Sequence, residues 1–139
     1  MKRNNYIRVP YGMSVHGEEE IEAVVKVLCG NTALGERTRE FEVKIARLFG
    51  KKHGVMVNSG SSANLLAFEL LDLPKGAEVI TPILTFATTV SPIVVKGLMP
   101  VFVDVEEGTF IVNTEQVRRA ITKRTRALMI PSLIGNVPN

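Results

Sequence analysis

The spacing of apolar residues changes once along the chain. Between residues 17 and 50 it is helical: Ile21, Val24, Val25 and Leu28 fall at i, i+3, i+4 and i+7, and Phe41, Ile45, Leu48 and Phe49 form a second stripe. The pattern predicts two amphipathic helices, over residues 17–28 and 37–49. Glu18, Glu19 and Glu20 favour the positive N-terminal end of the first helix. Gly30 and Gly50 stand where each helix should stop. Residues 31–36, "NTALGE", read as a loop, and the polar, irregular residues 1–16 as a surface arm.

From residue 53 short β-rich runs alternate with helical ones. "HGVMVNS", "AEVITPI", "LMPVFVDV" and "RALMIPSL" predict four strands. "SANLLAFELLDL" is apolar on nearly every side, which predicts a deeply buried helix. "TFATTVSPIVVKG" predicts an imperfect helix, because Pro92 must either kink it or sit in its first turn. Asn113 with Gln116 predicts a capped helix over residues 113–122. The resulting order, β-α-β-α-β-α-β over residues 53–133, predicts an α/β fold: a mainly parallel sheet with helices on both faces and right-handed crossovers. The helices within 17–50 are expected to pack on the outside of that sheet. No Pro/Gly-rich linker interrupts the 139 residues, so a single domain over 1–139 is expected.

Composition narrows the function classes. Hydrophobic residues make up 45% and charged residues 22%, which favours a packed body over disorder. No stretch approaches the roughly 18 uninterrupted apolar residues that a helical membrane span needs, and no apolar segment follows the basic start as it would in a secretory leader. Cys29 is the sole cysteine, so no disulfide can form within the chain and a reduced, cytoplasmic setting is expected. The net charge of +3 owes much to Arg118, Arg119, Lys123, Arg124 and Arg126. No aromatic residues interleave with these cations, so they read as the solvated end of a helix rather than a nucleic-acid patch. Neither a nucleic-acid nor a membrane partner is expected, and no metal site.

Candidate chemistry gathers at "VMVNSGSSA", residues 55–63, where a strand-like run gives way to a helix. Ligands of open α/β sheets bind at the carboxyl ends of strands. The first-turn N–H groups of a helix lack internal partners, and the dipole adds partial positive charge there. Gly60 allows close approach of the backbone, and the hydroxyls of Ser61 and Ser62 can donate to the oxygens of an anion. Asn and Ser are also the preferred N-cap residues, so the same corner can be read as a cap alone. It is neither a Walker A loop, lacking Gly-Lys-Ser/Thr, nor a dinucleotide fingerprint, because Gly60 stands alone. Phe86 follows the end of the next strand. Its ring can serve the core or stack on a flat ligand beside the anion corner.

The segments "VNSGSSANLLAFELL", "EVITPILTFATTVSP", "PVFVDVEEGTFIVNTEQVRRAITKRTRALMIP" and "LIGN" together resemble the DegT/StrS-type sugar aminotransferases, pyridoxal-phosphate (PLP) enzymes of the aspartate-aminotransferase fold. The helical pair before them resembles the opening of the same family, so the likeness runs from about Pro10 to Asn139. The resemblance implies that Gly60, Ser61 and Ser62 hold the PLP phosphate and that Phe86 stacks on the pyridine ring. It implies a nucleotide-linked keto sugar as substrate, an amino donor, and a homodimer. "TTVSP" and "IGNVPN" look closer to the sugar 3-dehydratase branch than to the commonest aminotransferase pattern, which has Gly-Gln where Gly135-Asn136 stands. Aminotransferases of the family use a lysine to bond the cofactor, and the dehydratases place a histidine there.

In the family the pyridine-binding Asp, the catalytic Lys or His and the small C-terminal domain lie beyond the position of Asn139, so this chain is expected to be an N-terminal portion without turnover of its own. Local substitutes read poorly. Asp104 is expected to order the turn with Glu106, Glu107 and Gly108. Lys96 precedes Gly97 at a helix end, where a cation suits the dipole. His53 starts a predicted strand, the wrong end for a ligand site, and His16 lies in the arm. A non-catalytic α/β module that binds a phosphorylated ligand or a partner is the alternative.

Overall fold

The computed structural model describes residues 7–10 and 12–139. They fall into two compact units that divide after Gly54.

The first unit carries the two predicted helices, α1 (Glu18–Leu28) and α2 (Glu36–Leu48). Gly17 precedes α1 and donates its N–H to Glu20 Oε2 at 2.7 Å, and this bond holds the Glu20 carboxyl below the usual carboxylate range. The stop at Gly50 has a specific geometry. Gly50 takes φ +62, its N–H donates to the Arg47 carbonyl at 3.0 Å, and the Lys51 N–H donates to that of Ala46 at 2.7 Å. This is the Schellman pattern, which needs a left-handed residue and so favours glycine. The stripe of α1 forms as predicted, yet Ile21, Val24, Val25 and Leu28 all stay exposed, and α2 buries only Ala46.

The second unit, Val55–Asn139, holds α3 (Gly60–Leu71), β1 (Glu78–Pro82), α4 (Ala87–Val95), β2 (Met99–Val103), α5 (Thr114–Ala120), β3 (Thr125–Leu128) and a 3₁₀ turn over Leu133–Gly135. The strands form one parallel sheet in the order β2-β1-β3, with Ile80 of β1 opposite Val101 of β2 and Leu128 of β3. The central strand is therefore covered on both edges and both faces, and all five of its residues are buried. On one face Val79 packs with Phe68 of α3, Ile93 of α4, and Leu98. On the other, Ile80 packs with Val103 and Val112, flanked by Val117 and Ala120 of α5. Fully burying each Val or Ile here contributes about 1.5–3 kcal/mol. The α/β class, the parallel pairing and the helices on both faces are as predicted.

Two expectations are corrected. Residues 53–59 form no strand. A strand needs a neighbouring strand for its backbone N–H and C=O groups, and among the described residues the sheet ends at β2 and β3. The α-β alternation accordingly starts at Gly60. Nor is α3 buried on every side: only Phe68 is, and Leu70 is 77% exposed. Its described packing partners are the sheet face and α4, which cover one side of the helix.

The N-terminal edge of β1 carries the buried charge. Glu78 is 3% exposed and faces the start of β3. It accepts from Thr122 Oγ1 at 2.5 Å and from Arg124 Nε at 2.9 Å. The Thr122 hydroxyl, opposed by burial and aided by Arg124, holds the Glu78 carboxyl below the usual range. These contacts account for the early end of α5. Ile121 turns to extended backbone (φ −68, ψ 125) instead of continuing the predicted helix to Thr122, whose side chain is committed to Glu78.

Candidate anion-binding site

At the opposite, carboxyl end of β1 the chain turns through Ile83–Thr85 into α4. Ile83 donates its N–H to the Val103 carbonyl at 2.8 Å, keeping the turn on the sheet's rim. Phe86 is the N-cap residue of α4, with extended backbone (φ −81, ψ 147). Thr85 Oγ1 donates to Thr89 Oγ1 at 2.8 Å across the first turn. One turn into α3, Asn64 Nδ2 donates to the Thr88 carbonyl at 3.3 Å. That bond brings the N-terminal end of α3 beside that of α4, at the carboxyl rim of β1.

Ser59 is the N-cap of α3. Its Oγ accepts from the Ser62 N–H at 3.1 Å, and its carbonyl accepts from the Ala63 N–H at 3.0 Å. Ser62 Oγ donates to Asn58 Oδ1 at 2.7 Å. The capping reading is thus realised, but by Ser59, and it uses only the amides of Ser62 and Ala63. The N–H groups of Gly60 and Ser61 and the Ser61 hydroxyl make no hydrogen bond among the described residues. A Cβ built on Gly60 would meet nothing within 4 Å, so the space beside these donors is open. Two aligned amides and a hydroxyl at the start of a 12-residue helix suit a phosphate group.

Ser61, Ser62, Leu65, Thr88, Ser91, Pro92 and Val95 line a groove of about 230 Å³ between α3 and α4. Among the described residues no ionisable side chain lines it. Phe86 lies outside that lining, two residues before Thr88, and the residue is 69% exposed rather than part of the core. Of the anticipated site residues the fold therefore brings Ser61 and Ser62 against the start of α4, with Gly60 opening the corner and Phe86 exposed on the adjoining turn.

The rejected substitutes stay occupied or distant in role. Lys96 pairs with Glu69 at 2.6 Å, across α4 and α3. Asp104 Oδ1 accepts from the adjacent Val105 N–H at 2.8 Å, where the Val105–Val112 bridge begins. His16 and His53 are exposed, and His53 precedes no strand. Of the late cations, Arg118 and Arg119 pair with Glu115 and Arg124 with Glu78. Asn136 Nδ2 donates to the Thr109 carbonyl at 2.6 Å, tying the 3₁₀ turn to the loop after β2. Asn64 was not legible in the sequence. The missed signal was Pro92, which had to leave one helix carbonyl in need of a donor.

Comparison with known proteins adds an independent line. The chain is 42% identical over 135 residues to the dTDP-4-dehydro-2,6-dideoxy-D-glucose 3-dehydratase of Saccharopolyspora spinosa, covering 91% of this chain and 29% of that protein. Among solved structures it resembles the E. coli GDP-4-keto-6-deoxy-D-mannose-3-dehydratase with bound hydrated PLP, with a TM-score of 0.81, 35% identity, and coverage of 88% of this chain and 33% of that one. It also resembles the aminotransferase from Psychrobacter cryohalolentis, with a TM-score of 0.75, 30% identity, and coverage of 86% and 31%. The chain spans about a third of the length of the relatives it matches. The match to the DegT/DnrJ/EryC1/StrS aminotransferase family runs over residues 14–139, nearly the whole chain, and on that match the chain belongs to this family.

Proposed function

We propose that this chain is the phosphate-anchoring part of a PLP-dependent enzyme that acts on nucleotide-linked keto sugars. The observation that carries the reading is the set of unpartnered donors at the start of α3: the Gly60 and Ser61 amides and the Ser61 hydroxyl. The Gly60 and Ser61 donors hold the cofactor's phosphate, Ser62 orders the turn beside them, and the exposed side chain of Phe86 stacks on its pyridine. When bound, PLP supplies the electron sink for bonds broken beside its ring. This chain's residues bind and orient; among the described residues none of the groove's lining side chains is an ionisable base. The same reading includes a homodimer, supported by the apolar surface left exposed on α3 and α4, with Leu70, Leu71, Val94 and Val95 among it.

Titrating the protein with PLP by calorimetry tests the anchor. Binding is expected, with a clear loss of affinity in the Ser61→Ala/Ser62→Ala double variant. No binding, or an unchanged affinity in that variant, refutes it.

Within the substrate class, removal of the 3-hydroxyl is favoured over amino transfer. The supporting observations are the likeness to two sugar 3-dehydratases and the short Asn136 side chain in the turn where the commonest aminotransferase pattern has Gln. Mass spectrometry of a nucleotide-linked 4-keto sugar incubated with the enzyme and an amino donor separates the two. A 3-deoxy product supports dehydration, and an amino sugar overturns it.

A further inference from the structure

The structure assigns Asn64 as a positioning residue that fixes the anion corner relative to the turn bearing Phe86; the assignment rests on the reading of that corner as a cofactor site. Pro92 is the sixth residue of α4. In an unbroken helix the N–H of residue 92 would donate to the carbonyl of residue 88, and proline has no N–H. The Thr88 carbonyl is thereby freed, and it accepts instead from Asn64 Nδ2 at 3.3 Å. A bond that would have been local to α4 has become a bond between α4 and α3. Asn is a poor residue for a helix interior, and Asn64 sits inside α3 with its amide committed to this contact. It does not line the groove, whereas its partner Thr88 does. Its influence on a ligand therefore passes through Thr88 and the first turn of α4.

Phosphate needs only the corner on α3. PLP needs the corner and the Phe86 turn held at one separation. Loss of Asn64 should accordingly separate the two affinities.

The test uses the full chain with two probes, inorganic phosphate and PLP, and reads affinity and the thermal midpoint. Asn64→Ala is paired with Asn64→Leu, which keeps the side chain's bulk and neutrality but has no N–H to donate. Both are expected to weaken PLP by about three- to tenfold, the worth of one hydrogen bond, while phosphate affinity stays within about twofold. Adding Pro92→Ala gives Thr88 a donor within its own helix, so the thermal midpoint should recover while PLP affinity stays low. PLP affinity unchanged in either Asn64 variant overturns the assignment. So does an equal loss for both probes, or recovery of PLP affinity with Pro92→Ala, since either makes Asn64 merely structural. A wild-type chain that binds neither probe overturns the cofactor reading and the assignment with it. Wild-type binding of both probes that Asn64→Ala leaves intact overturns the assignment alone.

Discussion

Ser62 donates its hydroxyl proton to Asn58 Oδ1 at 2.7 Å, whereas the hydroxyl of Ser61, one residue earlier, has no partner among the described residues. Two serines that look equivalent in the chain are therefore unequal donors. The Ser62 N–H is likewise taken, by the Ser59 cap. Ser62 stabilises the turn, and Ser61 is free to meet an anion.

Ser61→Ala should thus cost more than Ser62→Ala. A hydrogen bond to a charged group is worth about 1.5–3 kcal/mol, so phosphate or PLP affinity should fall by an order of magnitude or more for Ser61→Ala. Ser62→Ala should cost about threefold or less, because what it loses is a neutral contact within the turn. Calorimetric titration of the two single variants decides it, and equal losses would contradict the division of roles.

Phe86 offers a complementary separation. Its ring is largely exposed, so Phe86→Ala should leave the thermal midpoint nearly unchanged. If the ring stacks on pyridine, about 1 kcal/mol of aromatic contact is lost and PLP affinity falls roughly fivefold, with inorganic phosphate binding as before. A drop in the midpoint with no change in PLP affinity would place the ring in the core's service instead.

Glu78 sets an acid limit on the second unit. Its folded-state pKa is held below the ordinary value by the Thr122 hydroxyl and Arg124. A depressed carboxylate contributes its stability fully above the unfolded pKa, about 4.3, and loses it as pH falls through the lower folded value. Urea midpoints of wild type and Glu78→Gln should differ by a constant amount from neutral pH down to the mid-fours. Below that the gap should close. A gap that widens in acid would reverse the sign.

Gly54 marks a close backbone approach in the first unit. A Cβ at this position would lie 2.6 Å from the Glu42 carbonyl oxygen of α2. That oxygen is backbone and cannot swing aside, so Gly54→Ala must move the chain at a cost of about 1–3 kcal/mol. Hydrogen exchange along α2 should accelerate in this variant while the amides of β1 keep their protection. Unchanged exchange in α2 would show that the approach is relieved without cost.

Most elements were legible because each is announced locally. The Schellman stop at Gly50 needs only a residue at ease with positive φ, and the Asn113 cap, whose Oδ1 accepts from the Gln116 N–H at 2.8 Å, needs only a side chain three residues from its donor. The partner of the Gln116 side chain was not legible. Gln116 Oε1 turns to the Asp104 N–H, 12 residues away, at 2.8 Å. The phantom strand at 53–59 failed for a related reason: β-rich composition states a preference, and a strand exists only where another supplies its hydrogen bonds.

The candidate site divides along the same line. Periodicity and turn chemistry determined by themselves the alternation of helices with parallel strands, and the placing of Gly60, Ser61, Ser62 and Phe86 at the starts of helices. Only the tertiary structure decided which serine caps, which stays free, and which donor answers the carbonyl that Pro92 releases. Those outcomes depend on which groups remain unpaired once distant segments meet. Spacing along a chain records helix and strand periods, whereas the pairing of leftover donors and acceptors is settled between elements, such as Asn64 and Thr88, whose separation in sequence carries no period.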